Sequence, residues 1–169
     1  MGAIALAAAS GCDSGEQDPQ PRLESAGRPA AAPVVHAGER CPVTLPSAKP
    51  PFERNDFNYG NRYLGVALWR HGRLVASRGG RTWGQITPDG SIWAKVGWWR
   101  AVPGRLYIVG ERLDASAPPL QARVPAGYGS RGIQSTGLTF PTPGCWWVVG
   151  SVAGHDLEFV VRVTKRRRA

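Results

Sequence analysis

The sequence predicts an all-β domain of about seven or eight short strands, a sandwich or barrel, behind an N-terminal stretch that builds no core. Three observations carry this prediction. Apolar and polar residues alternate over runs of five to nine positions; 22 Gly and 15 Pro punctuate those runs; and seven Trp stand against a single Met. Such a composition suits pleated strands and tight turns better than long helices. With 169 residues in all, roughly 125 remain for one domain with a real core once the Pro/Ala/Gly-rich start is set aside.

The elements follow in chain order. Pro42, Pro46, Pro50 and Pro51 keep the start of the domain extended and outside any central ladder, because Pro has no N–H to donate. Arg62 to Trp69 and Arg73 to Ser77 read as the two arms of a hairpin turning at His71-Gly72. Ile92 to Trp99 is opened by Pro88-Asp89-Gly90, and Arg105 to Leu113 by Pro103-Gly104. Leu120 to Val124, Gly132 to Phe140, Cys145 to Val152 and Asp156 to Thr164 complete the set. In the last of these, Leu157, Phe159, Val161 and Val163 fall on one face, while Glu158, Arg162 and Thr164 share the other with Val160. Ala153-Gly154 is a tight connection, so the last two strands are expected to pair antiparallel.

The three cysteines divide by position. Cys12 follows an apolar run, Ile4 to Ala9, and two small residues, Ser10 and Gly11. This arrangement resembles the lipobox of bacterial lipoproteins, in which small residues admit the signal peptidase and the cysteine becomes the lipidated N-terminus. The expectation is a signal-peptide remnant at 1–11, its true start upstream of Met1, and a lipidated, disordered linker at 12–40. From Asp13 to Arg40 there are too few large apolar residues to offset the entropy of ordering. Cys41 and Cys145 are left as an even pair in a chain that reads as exported, the setting in which a disulfide persists. Neither has a CxxC partner, nor a His at ligand spacing, for redox or metal chemistry.

The formal charge is +9, which by itself raises nucleic acid as a partner through counterion release. Export removes that partner, and the arginines are scattered except in Lys165, Arg166, Arg167 and Arg168. The expected division is a domain at 41–165 and a solvated basic tail at 166–169, with a tether to anionic headgroups or acidic wall polymer as the tail's alternative role.

The run Phe140-Pro141-Thr142-Pro143-Gly144-Cys145-Trp146, the Val-rich strand after it and Leu157-Glu158-Phe159-Val160-Val161-Arg162-Val163 resemble the end of Ig-like domains in bacterial exported proteins and lipoproteins. Cys41-Pro42-Val43-Thr44, Tyr59-Gly60-Asn61 and Trp98-Trp99-Arg100 are similar to that group as well. The resemblance covers the chain from about Cys41 onward. It implies an antiparallel Ig-like β-sandwich in the cell envelope and implies no reaction.

Two tryptophan pairs bear on binding. Trp98-Trp99 and Trp146-Trp147 each lie within a strand, so one member of each pair points away from the core. The outward ring is either covered by a loop or the Pro-rich segment, or it forms with Tyr107 or Tyr128 a platform for a sugar ring or a partner protein. Trp98, Trp99, Trp146, Tyr128 and Arg131 are the candidate binding residues, the last two in the glycine-rich run Gly127 to Gly132. That run precedes a strand, not the helix that a phosphate-cradling loop needs.

Asn55 to Asn61 lacks the carboxylates of a calcium loop and reads as a polar turn. His36, His71 and His155 show no ligand spacing, and no serine sits in a GxSxG or SxxK setting. The expectation is therefore no enzyme, no metal site and no cofactor: an envelope-anchored binding or protein-interaction module. Its partners would be the membrane, through its N-terminal lipid, and a glycan, wall polymer or envelope protein. The alternative is an envelope hydrolase or metal-handling protein whose site assembles from scattered residues.

Overall fold

The computed structural model describes residues 33, 40–47, 52, 57–79 and 83–166. The expected signal remnant, the lipid site Cys12, nearly all of the linker and tail residues 167–169 lie outside these.

The described residues form ten strands and no α-helix: β1 (Tyr59–Gly60), β2 (Leu64–Val66), β3 (Arg73–Ser77), β4 (Gly84–Ile86), β5 (Ile92–Arg100), β6 (Tyr107–Arg112), β7 (Gln121–Arg123), β8 (Gly132–Phe140), β9 (Gly144–Val152) and β10 (His155–Lys165). Long alternating runs survive almost unchanged from sequence to structure. β1 and β4, of two and three residues, are too short for alternation to announce them.

β5 is the hub. One edge pairs with β8 from Ile92↔Phe140 to Arg100↔Gly132, and the other is shared by β4 and β2, all antiparallel. From β4 the sheet continues through β3 to β10, then through β9 to β6. At its far end β7 pairs with β8, and the Leu120 N–H donates to the Gly110 carbonyl of β6 at 2.9 Å. The sheet thus curls until its two ends meet, which leaves few bare edges.

The expected antiparallel sandwich is corrected at two joints, because β3 runs parallel to both β10 and β4. The expected hairpin between Arg62–Trp69 and Arg73–Ser77 does not form either; β2 pairs with β1 and β5 instead. The cause lies in packing and not in the turn torsions: His71 and Gly72 adopt the paired positive φ (55° and 61°) that also suits a hairpin, but Gly72 packs so tightly on the 41–47 segment that a Cβ would lie 2.6 Å from the Thr44 carbonyl oxygen. The chain leaves this turn toward β10 rather than back along β2.

The last hairpin forms as expected, from His155↔Val152 to Val163↔Gly144. Ala153 and Gly154 both have positive φ (50° and 78°), the two-residue turn whose twist matches that of its strands. Arg166, expected in the tail, is tied to the fold by its N–H, which donates to the Ala76 carbonyl.

The core lies inside the curl. Even-numbered residues of β5 and β8 and odd-numbered residues of β10 meet the even-numbered residues of β9. Trp98 packs against Phe159 with ring centroids 6.0 Å apart, and Phe140 against Trp146 at 5.5 Å. Gly150 makes room for the Trp98 indole, since a Cβ there would lie 2.4 Å from the ring. A second, smaller cluster on the outer face of β9 and β10 joins Cys145, Trp147, Val149 and Val160 to Cys41, Val109 and Leu113. The disulfide Cys41–Cys145 holds it, with Cα atoms 5.5 Å apart.

Candidate functional site

β5 also organises the open side of the molecule. Its even residues are buried, so Trp93, Lys95, Gly97 and Trp99 face outward. Register places Gln85 of β4, Trp93, Thr139 of β8 and Gln121 of β7 in one row across four strands. The adjacent row holds Lys95, Gly137 and Arg123. Trp93 is 39% exposed, and Trp83, just before β4, is 78% exposed.

Gly137 determines how Trp93 lies. A Cβ on Gly137 would sit 2.7 Å from the indole Nε1, so the missing side chain lets the ring rest across the neighbouring strand. The result is a broad aromatic surface with amide and hydroxyl groups beside it and two cations in the next row. At the far end the face is closed, where Trp99 packs against Phe52 and Phe57 at 6.1 and 6.0 Å.

A second opening lies at the end of the curled sheet. Along the inner face of β5 the series Ile92, Ala94, Val96, Trp98 ends in Arg100, and along β8 the series Phe140, Leu138 ends in Thr136 and Gln134. Arg100 is 2% exposed. It donates to the carbonyls of Gly104 (2.7 Å), Tyr128 (3.1 Å) and Gly129 (2.8 Å), while its Nε has no partner among the described residues. Burial pulls its pKa below the ordinary arginine value. A cavity of about 690 Å³ opens beside it, bounded by Leu106, Val124 and the loop from Pro125 to Ser130.

The expected binding residues separate accordingly. Trp98 and Trp146 are fully buried in the core, so the structure places neither on an open face. The Trp146 indole N–H donates to the Thr142 carbonyl at 3.0 Å. Trp99 faces outward but lies under the two phenylalanine rings. Tyr128 and Arg131 are exposed, and Tyr128 lines the cavity beside Arg100. Tyr107 is half-buried, with the Arg105 guanidinium 5.6 Å from its ring centre. Trp83, Trp93, Arg100 and Gln134 were not among the expected residues. The period of Ile92 to Arg100 carried the signal, since it puts Trp93 out of phase with the core and Arg100 in phase with it.

The remaining polar groups hold structure together. Asp114 accepts from Arg112 Nε at 2.7 Å and Arg162 at 2.8 Å. Its burial raises the carboxyl pKa, but the Arg112 bond, the Cys145 backbone N–H and the two guanidinium charges outweigh this and leave it below the ordinary value. The Ser151 hydroxyl donates to Asp156, while the His155 ring is stacked on Tyr63 at 3.6 Å. Among the described residues no group of three or more His, Cys, Asp or Glu side chains gathers to hold a metal ion, and no helix is long and apolar enough to cross a membrane. No family model, curated protein or solved structure matches the chain.

Proposed function

We propose that this chain is an envelope-anchored binding module, tethered by a lipid on Cys12 through the 12–40 linker, whose outer face on β4, β5, β8 and β7 receives a neutral glycan chain. The observation that carries the reading is Trp93 lying across Gly137 with Gln85, Thr139 and Gln121 in its row. One face of a sugar ring presents C–H groups that pack on an indole, whereas its rim presents hydroxyls, and amide side chains both donate to and accept from hydroxyls. Trp83, exposed immediately before β4, offers a second ring. An Ig-like kinship belongs to the same proposal, supported by the antiparallel β9–β10 hairpin and by the Cys41–Cys145 link between the two ends of the domain.

Tryptophan fluorescence of the full chain, titrated with neutral oligosaccharides of increasing length at moderate salt, tests the face. The expected result is a saturable change that strengthens with chain length and disappears in Trp93→Ala. A response confined to polyanions and fading with salt would instead assign binding to the scattered cations, and an unchanged response in Trp93→Ala would remove the proposed face. Palmitate labelling of wild type beside Cys12→Ser tests the anchor, with label expected only in the wild type.

A further inference from the structure

An arginine at the last inward-facing position of β5 is anomalous, because the same side of that strand is otherwise apolar. A buried guanidinium is costly unless its charge is balanced, and the three acceptors of Arg100 are neutral carbonyls. Among the described residues no Asp or Glu lines the cavity it borders. The loop is shaped to bring its carbonyls there: positive φ at Gly127 (89°) and Gly129 (63°) turns the chain so that two successive carbonyls reach one nitrogen of Arg100. These bonds satisfy donors but leave the positive charge unneutralised.

We propose that this cavity is a binding site for a small organic carboxylate with an apolar or aromatic body, its carboxylate drawn to Arg100 and its body packed on Val124 and Pro125. The volume, about 690 Å³, falls in the range of small-ligand sites, and barrel mouths are a common place for them. The charge count selects the ligand. Arg105, the other cation among the described lining residues, is exposed at the rim with its guanidinium over Tyr107, so among these residues one buried cation faces the interior and one anionic charge balances it. A dianion would carry an unbalanced charge into a largely apolar lining. Arg100 is already desolvated before the ligand arrives, so the attraction is less screened than at a surface arginine. The site lies at the end of the curl, apart from the Trp93 face, and stands whether or not that face takes glycans.

Calorimetric titration of the full chain with phenylacetate and with phenylacetamide tests the inference. Saturable binding of the acid, with the amide at least about tenfold weaker, is the expected result, because the two differ chiefly in charge. Arg100→Gln is expected to abolish that preference. Since Arg100 also braces the loop, Ala126→Trp provides an independent variant: it fills the mouth from an exposed lining position, and it is expected to keep the unfolding temperature while losing phenylacetate. Equal titrations for acid and amide, no saturation with either, or wild-type affinity in Ala126→Trp would each overturn the proposal. The carboxylate could belong to a free small acid or to a peptide C-terminus. An N-acetylated apolar dipeptide, free or amidated, separates these: tighter binding of the free-acid dipeptide than of phenylacetate identifies a peptide end, and weaker binding a small acid.

Discussion

Trp147 and Trp93 occupy comparable places, each pointing outward from a long strand of the same sheet, yet Trp147 is 7% exposed and Trp93 39%. What differs is the chain laid beside them. Over β9 and β10, the Pro-rich start of the domain closes the edge of β10, with the Thr44 N–H on the Val160 carbonyl at 2.8 Å and the Val160 N–H on the Thr44 hydroxyl at 2.9 Å. Cys41 then bends to Cys145, and Trp147 finds Glu158 as acceptor for its indole N–H at 3.1 Å. Over β5 and β8 the described residues place no such cover beyond Phe52 and Phe57. An outward tryptophan is thus a structural residue on one face and an available surface on the other, and four measurements separate the two roles.

The largest effect is expected from Trp147→Ala. Emptying a buried indole site costs about 3–5 kcal/mol, so urea unfolding should show a loss of that size; a loss below about 1 kcal/mol, the scale of an ordinary substitution, would mean that the second cluster supports little. Next is the disulfide. Its residues are separated by 104 positions, and replacing both cysteines by serine is expected to cost about 2–5 kcal/mol. The same variant should admit acrylamide to Trp147, raising quenching while the Trp93 contribution stays constant.

A smaller effect tests the ion pairs beside Cys145. The Asp114 carboxyl is held below its ordinary value, so its contribution to stability is present above the unfolded-state pKa of about 3.9 and is lost as pH falls through the lower folded-state value. Wild type should therefore show a stability decline in that acidic window that Asp114→Asn lacks, read by unfolding midpoints at stepped pH. Identical profiles would show that the pair contributes nothing there. The smallest effect is Trp93→Ala, expected to shift stability by no more than about 0.5 kcal/mol, as for a surface side chain. A large loss would make Trp93 a structural residue like Trp147 and erase the contrast.

Much of this architecture was legible one strand at a time. The Pro88-Asp89-Gly90 turn marked the start of β5, the Ala153-Gly154 turn marked the terminal hairpin, and the even pair of cysteines left after Cys12 marked the staple. Gly144 had no visible reason in the sequence. Its role depends on a distant pair, since a Cβ there would lie 2.3 Å from Arg112 Nε, and a glycine kept clear for an ion pair looks like any turn glycine. Likewise, Arg100 reads as one more scattered cation until its strand is seen to end inside the curl.

Local chemistry determined the strands, the punctuation between them and the parity of each residue, because alternation and turn conformations involve only neighbours along the chain. It did not determine which strands lie side by side. β3 joins β10 in parallel across some ninety residues of sequence, and that choice rests on long-range packing around Gly72, not on any pattern within β3. Nor could parity say which outward face would be covered, since the covering segment is brought back by Cys145 from the opposite end of the domain. Trp147 and Trp93 carry the same local signature, and only the tertiary arrangement makes one a core residue and leaves the other in solvent.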